Sequence, residues 1–154
     1  MIRVQRDDFD VAAETRRLVG ENTSIGGVVT FVGLVREGED DERISAMTLE
    51  HYPGMTEKML RRIDAEAHQR WPLDASLIVH RFGRMVPGDR IVLVITASAH
   101  RQAAFEACEF LIDWLKTKAP FWKIEESTGG AAEEGKWVEG RDSDEQAAAR
   151  WSKN

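Results

Sequence analysis

Arg90-Ile91-Val92-Leu93-Val94-Ile95-Thr96-Ala97-Ser98-Ala99-His100-Arg101 is a strand that runs straight into a helix. Ile91 to Ala99 is an apolar run of strand length, rich in β-branched residues. From Arg101 to Lys118, Phe105, Cys108, Ile112 and Leu115 recur at helical spacing, and Ala104 and Leu111 widen that stripe. Pro120 stops the helix, and Phe121 to Glu126 reads as another strand. A strand, a long amphipathic helix and a second strand in succession predict a layered fold of helices on a sheet.

The flanks extend the same alternation. Upstream, Ala75 to Phe82 forms a hairpin with Arg90 to Ala99 through the turn Pro87-Gly88-Asp89. Before it, Met55, Met59, Ile63 and Ala67 mark one face of a helix that starts after the turn Pro53-Gly54 and ends at Pro72. Ile25 to Val35 and Ile44 to Glu50 read as a second hairpin around the acidic loop Glu37 to Glu42. Asp10 caps a small helix carrying Val11, Leu18 and Val19, closed by Gly20. Downstream, Trp137-Val138 pairs with Phe121 to Glu126 around the loop Ser127 to Lys136, and Asp142 to Trp151 makes a short terminal helix. With no repeat and no linker, residues 1–154 are expected to form one α+β domain with a mainly antiparallel or mixed sheet.

Composition narrows the function classes. At 154 residues, 42% hydrophobic and 31% charged, the chain is long enough to bury a core and too apolar for disorder. Its 21 Lys and Arg against 27 Asp and Glu give a formal charge of −6, which argues against nucleic-acid coating through the overall field. One cysteine makes no intramolecular disulfide, and charge at Arg3, Arg6, Asp7 and Asp8 interrupts any signal-peptide core. No run reaches the roughly 18 residues of a membrane span. A cytoplasmic protein with no membrane partner is the expectation.

Against that acidic background, Trp114-Leu115-Lys116-Thr117-Lys118-Ala119-Pro120-Phe121-Trp122-Lys123 concentrates three ammonium groups. Lys near a helix C-terminus complements the dipole, and Asp113 to Lys116 is an i,i+3 pair. Lys116 also lies about 100° beyond Leu115 on the helical wheel, bordering the apolar stripe, where desolvation and the neighbouring Lys118 and Lys123 would make it a usable acid or base. His100 and Arg101 sit where a strand meets a helix N-terminus, a place suited to anions, and Arg36 ends the strand Ile25 to Val35. His80 and Arg81, successive in a strand, point to opposite faces. Cys108 shares the apolar stripe and reads as a buried, unreactive thiol. The histidines at 51, 68, 80 and 100 fit no metal spacing, and the Gly26-Gly27 and Gly129-Gly130 pairs fit no nucleotide fingerprint, so neither metal nor cofactor is expected.

Taken with Gly27-Val28-Val29-Thr30-Phe31-Val32-Gly33-Leu34-Val35-Arg36, Leu49-Glu50-His51-Tyr52-Pro53-Gly54-Met55-Thr56-Glu57-Lys58, Arg70-Trp71-Pro72-Leu73 and Pro87-Gly88-Asp89, these segments resemble the catalytic, large subunit family of molybdopterin synthase over about residues 25–151. The resemblance implies an α/β hammerhead core with an additional antiparallel sheet. It implies a sulfurtransferase that moves two sulfurs from the Gly-Gly thiocarboxylate of a small ubiquitin-like carrier subunit to cyclic pyranopterin monophosphate. It further implies a central homodimer with one carrier at each end, a heterotetramer.

Carried over by position, the family pattern makes Lys116 the main catalytic residue and Lys123 its partner, with Arg36, His100 and Arg101 holding the substrate's phosphate and pterin. Leu34, Val35, Ile124 and Glu125 flank the substrate-binding segments, and Arg141 matches a further basic position that reaches the pocket of its own or a neighbouring protomer. The acidic loop after Arg36 and the loop Ser127 to Lys136 depart from the commoner family pattern. A second reading makes the chain a non-catalytic module that binds single-stranded nucleic acid or anions through the Lys116 to Lys123 segment.

Overall fold

A computed structural model describes residues 1–38, 43–127, the backbone of 136–137, and 142–152. In chain order the elements are β1 (Ile2–Gln5), α1 (Val11–Val19), β2 (Gly27–Leu34), β3 (Ile44–His51), α2 (Met55–Arg70), β4 (Ala75–Arg81), β5 (Gly83–Met85), β6 (Arg90–Ser98), α3 (Arg101–Lys118), β7 (Phe121–Ser127), β8 (Lys136–Trp137) and α4 (Asp142–Ala149), closed by a 3₁₀ turn at Arg150–Ser152. The strands form two sheets. The first has the order β1-β4-β6-β2 and is mixed, because β1 runs parallel to β4; the second, β5-β3-β7-β8, is antiparallel throughout. This is the α+β arrangement with an added antiparallel sheet that the resemblance implied.

Strand alternation divides the first sheet's core in two. Ile78 and Val94 point toward α2 and α3, where they join Leu60, Ile63, Ala67, Phe110, Leu111 and Leu115. Leu77, Val79, Leu93 and Ile95 point the other way, onto Phe9 and α1. The Asp10 carboxylate accepts from the Ala13 N–H at 2.9 Å to start α1, which ends at Gly20 in the left-handed region at φ 53°. A third cluster of Val35, Ile44, Met47, Leu49, Met85 and Phe121 lies on the second sheet.

Three expectations need correction. Strands β2 and β3 do not form a hairpin. β2 pairs with β6 from Gly27↔Ser98 onward, while β3 pairs with β5 and β7, because its apolar Met47 and Leu49 match the second sheet's core. Met55 is exposed and stands outside the α2 core face, which runs through Leu60, Ile63 and Ala67. Phe105, placed by spacing in the α3 stripe, is 60% exposed. The buried residues Ala103, Ala104, Ala107, Cys108, Phe110, Leu111 and Leu115 centre that stripe near Ala107 and Leu111. At 100° per residue Phe105 is about 130° away from that centre and Lys116 about 150°.

The expected β4–β6 hairpin forms, with β5 inserted where Gly83, at φ 93°, turns the chain onto the second sheet. Trp137 lies on β8 as expected, whereas Val138, residues 39–42 of the acidic loop and residues 128–135 of the later loop fall outside the described residues. Among the described residues no helix is long and apolar enough to cross a membrane.

Small residues let α3 sit close on the sheet, and the Thr96 hydroxyl donates to the Ala104 carbonyl at 2.7 Å across that contact. Cys108 is buried there, and burial pushes its thiol up to about 11. So little thiolate at neutral pH predicts that a disulfide reagent at pH 8 leaves the folded chain unlabelled and labels one thiol per chain after denaturation. Rapid stoichiometric labelling of the folded chain would contradict this packing.

Candidate active site

Helix α3 decides which of the expected residues can meet. It has 18 residues, and His100 precedes its first turn while Lys116 lies in its last. At 1.5 Å per residue the two stand about 24 Å apart along the axis. Their surroundings separate in the same way. At the His100 end, the Gly26 N–H donates to the Ser98 carbonyl at 3.0 Å, and the Arg101 backbone lies against Gly27. A side chain at Gly26 would overlap the Ala99 carbonyl, so the glycine pair serves this close approach.

At the other end, β2 finishes opposite Arg90 and leads through Leu34 and Val35 to Arg36. The Val35 N–H donates to the Asp89 carbonyl and the Gly88 N–H to the Val35 carbonyl, both at 2.8 Å, which ties this end to the Pro87-Gly88-Asp89 turn. Val35 is buried with Phe121, and Ala119 packs against them. One apolar cluster therefore brings Arg36, the end of α3 and the start of β7 together. Leu34 and Arg36 are exposed, as are His100 and Arg101 at the far end.

Lys116 does not border the apolar stripe as expected. The Lys116 side chain is 55% exposed, with its Nζ 3.9 Å from Asp144 Oδ1 of α4. Asp113, its expected i,i+3 partner, instead accepts from Arg150 and from the Trp151 indole N–H, each at 2.8 Å. Lys123 is the more enclosed: its side chain is 25% exposed and its Nζ lies 2.8 Å from Glu125 Oε1. Residues 121, 123 and 125 share a strand face. The pair thus borders the core that holds Phe121, while Ile124 points to the opposite face. Lys118 Nζ lies 5.5 Å from the centre of the Trp114 ring. Arg141 falls outside the described residues.

A buried histidine missed as a site element supports this corner. The His80 ring stacks on Phe121, centroid to centroid 4.0 Å, and its Nδ1 lies 2.9 Å from the Arg81 carbonyl oxygen. Burial, reinforced by the charge of nearby His51, pushes the imidazole down to about 4. The apolar run Leu77-Ile78-Val79 before it was the sequence signal for a buried position. A groove lined by Arg62, Glu66, Arg70, Trp71, Glu106 and Trp151 contains none of the expected site residues. Within it Arg70 pairs with Glu66 at 2.7 Å, and the Trp71 indole donates to Glu106 at 2.8 Å.

Residues 4–118 match the family described as MoaE protein. A Pseudomonas aeruginosa relative named molybdopterin synthase catalytic subunit is 56% identical over 150 residues, covering 97% of each chain. The chain belongs to the MoaE family. A solved MoaE protein from Burkholderia ambifaria superposes with a TM-score of 0.83 at 49% identity, covering 100% of this chain and 99% of that one. Molybdopterin synthase from Staphylococcus aureus superposes with a TM-score of 0.77 at 30% identity, over 88% of this MoaE chain and 94% of its own.

MoaE membership leaves the nucleic-acid reading without support, and the geometry gives the reason. Phe121 is buried and Lys123 is held in an ion pair, so the segment offers no row of open rings for bases to stack on.

The His80 environment carries a pH dependence. A depressed folded-state value means that His80 stabilises the fold only when neutral. Its contribution is complete above pH 6.5 and is lost as pH falls toward about 4, amounting to about 3 kcal/mol. Chemical denaturation between pH 7 and 4 should show this slope, and His80→Phe should flatten it. An unchanged slope in that variant would contradict the assignment.

Proposed function

We propose that this chain is the catalytic subunit of a molybdopterin synthase. It moves two sulfurs from the C-terminal thiocarboxylate of a small Gly-Gly-ending carrier to cyclic pyranopterin monophosphate, as a single domain in the cytoplasm and without a cofactor. Family membership and the catalytic-subunit name of its 56% identical relative support the reading. The observation that carries it at residue level is the Val35–Phe121 cluster of an otherwise acidic chain, which holds Val35 beside Arg36, Ala119 just past the end of the helix that carries Lys116, and Phe121 two residues before Lys123.

These cations give the corner its chemistry. An anionic carrier tail, narrow because it ends in two glycines, is drawn toward Arg36 and Lys116. Leu34 offers apolar surface beside them. Lys123 is held by Glu125, so its ammonium is oriented. Lys116, exposed in the lone chain, becomes enclosed when carrier and substrate cover it, and desolvation then moves it toward a working acid or base. Sulfur of the carrier attacks the substrate side chain, the cyclic phosphate opens, and water frees the acyl link. Lys116 assists proton transfer and stabilises the developing charge. Val35 and Ile124 shape the walls.

His100 and Arg101 belong to the same site only if a second copy presents them, because about 24 Å of helix separates them from Lys116. The working unit is accordingly a central dimer with a carrier at each end.

Lys116→Ala should lower molybdopterin formation by about 10²-fold or more while the carrier still forms a complex with the chain. Lys116→Ala and Arg101→Ala chains, each inactive alone, should recover about one quarter of wild-type turnover when refolded together, since half the dimers are mixed and each mixed dimer has one intact site. Unchanged turnover in Lys116→Ala would overturn its role. Mixed dimers without recovery would overturn the shared site.

A further inference from the structure

His80 stands where the two sheets meet. On β4 it shares the helix-facing side with Ile78 and opposes Val92 of β6, yet the ring it meets is Phe121, the first residue of β7 in the second sheet. The contact is a stack, 4.0 Å between centroids and 21° between planes, so it sets both the separation and the tilt of the Phe121 ring. A second ring approaches from β3. His51 is paired with Phe121 in the strand register, with its ring 6.4 Å away and tilted by 47°. His51 is itself tied down: its Nδ1 lies 3.2 Å from the Thr56 hydroxyl, which donates to the Tyr52 carbonyl at 3.0 Å, and its ring centre lies 4.5 Å from that of Phe82. Phe121 is therefore gripped from β4 and β3 at once.

The same residue is the pivot of the candidate site. Only Ala119 and Pro120 separate it from the last residue of α3, and its N–H donates to the Ala119 carbonyl at 2.9 Å. Two residues further on, on the same strand face, comes Lys123 with its Nζ 2.8 Å from Glu125 Oε1. Both side chains of that pair are partly exposed, and an ion pair of this kind is too weak to hold a strand end in place. The placement of the ammonium comes from the buried ring behind it.

We propose, resting on the reading of Lys123 given above, that His80 is a positioning residue for the sulfur transfer: its ring, stacked on Phe121, fixes where β7 begins and so aims the Lys123 ammonium. The face of the ring is what matters. His80 Nδ1 is already engaged with the Arg81 carbonyl at 2.9 Å, so what the side chain offers Phe121 is a flat surface. Another aromatic ring should serve there, and an aliphatic side chain should not.

Turnover with carrier and substrate gives the first test. His80→Leu should lower kcat by about 10-fold with little change in the KM for the carrier, because the site is displaced and the docking surface is kept. His80→Phe should recover most of that loss. In a Lys123→Ala chain the added His80→Leu should cost no further turnover, since it acts through that lysine. Full turnover in His80→Leu, no recovery in His80→Phe, or a further loss in the Lys123→Ala background overturns the role. The second test uses the chain alone. Acylation of Lys123 by a succinimidyl ester, read by peptide mass spectrometry against the exposed Lys58, should be slow in the wild type and in His80→Phe and several-fold faster in His80→Leu. Should His80→Leu fail to fold, Phe121→Leu removes the other ring of the stack and should give the same rise. Unchanged acylation of Lys123 in a folded chain lacking the stack overturns the positioning. A Lys123→Ala chain with full turnover fails the functional reading of that lysine instead, and the acylation rates then still decide the stack.

Discussion

The packing of α3 on the β6–β2 face sets the distances on which everything else depends. Its small buried residues, Ala103, Ala104, Ala107 and Cys108, let the helix sit close on the sheet, and Phe110 locks it edge-on against Trp71 and Trp151. A helix held this firmly cannot bend its ends together. The candidate cations at its two termini are consequently held a fixed distance apart.

Electrostatics follows from the same frame. The chain is acidic overall, so a substrate phosphate or a carrier carboxyl-type end meets a favourable field only where cations are concentrated. Lys123 is half-buried, with its Nζ held 2.8 Å from Glu125 Oε1. Lys116 remains in water near Asp144, so most of its dehydration has to come from the molecules that bind. Cys108, the single thiol, is sealed under α3, which is consistent with sulfur arriving on another molecule.

Much of the fold was legible in the chain because its signals are local. The strand-to-helix run around Ser98-Ala99-His100-Arg101, the Asp10 cap, the Pro87-Gly88-Asp89 turn and the Pro120 stop each act over a few residues. What was not legible is long-range. Strands β2 and β3, adjacent in sequence, enter different sheets because Val29 and Phe31 pack toward α3 while Met47 and Leu49 pack toward Phe121. Apolar spacing also set Phe105 and Lys116 too near the buried stripe, whose centre is visible only once the sheet beneath it is known. The candidate site residues were chosen by type and position, and their division into two groups, which the sequence did not show, depends on the length of α3 and on the antiparallel pairing of β2 with β6.

The central claim is that Arg36 of one chain and Arg101 of another face a common pocket. The most direct measurement mixes two chains that each carry one added cysteine, Arg36→Cys and Arg101→Cys, beside the buried Cys108, and treats them with a bis-maleimide spanning about 10 Å, a length well short of the helix that separates the ends within one chain. The account predicts a covalent dimer in the mixture and none in either chain alone. Cross-linking confined to a doubly substituted chain, with none between chains, would contradict it.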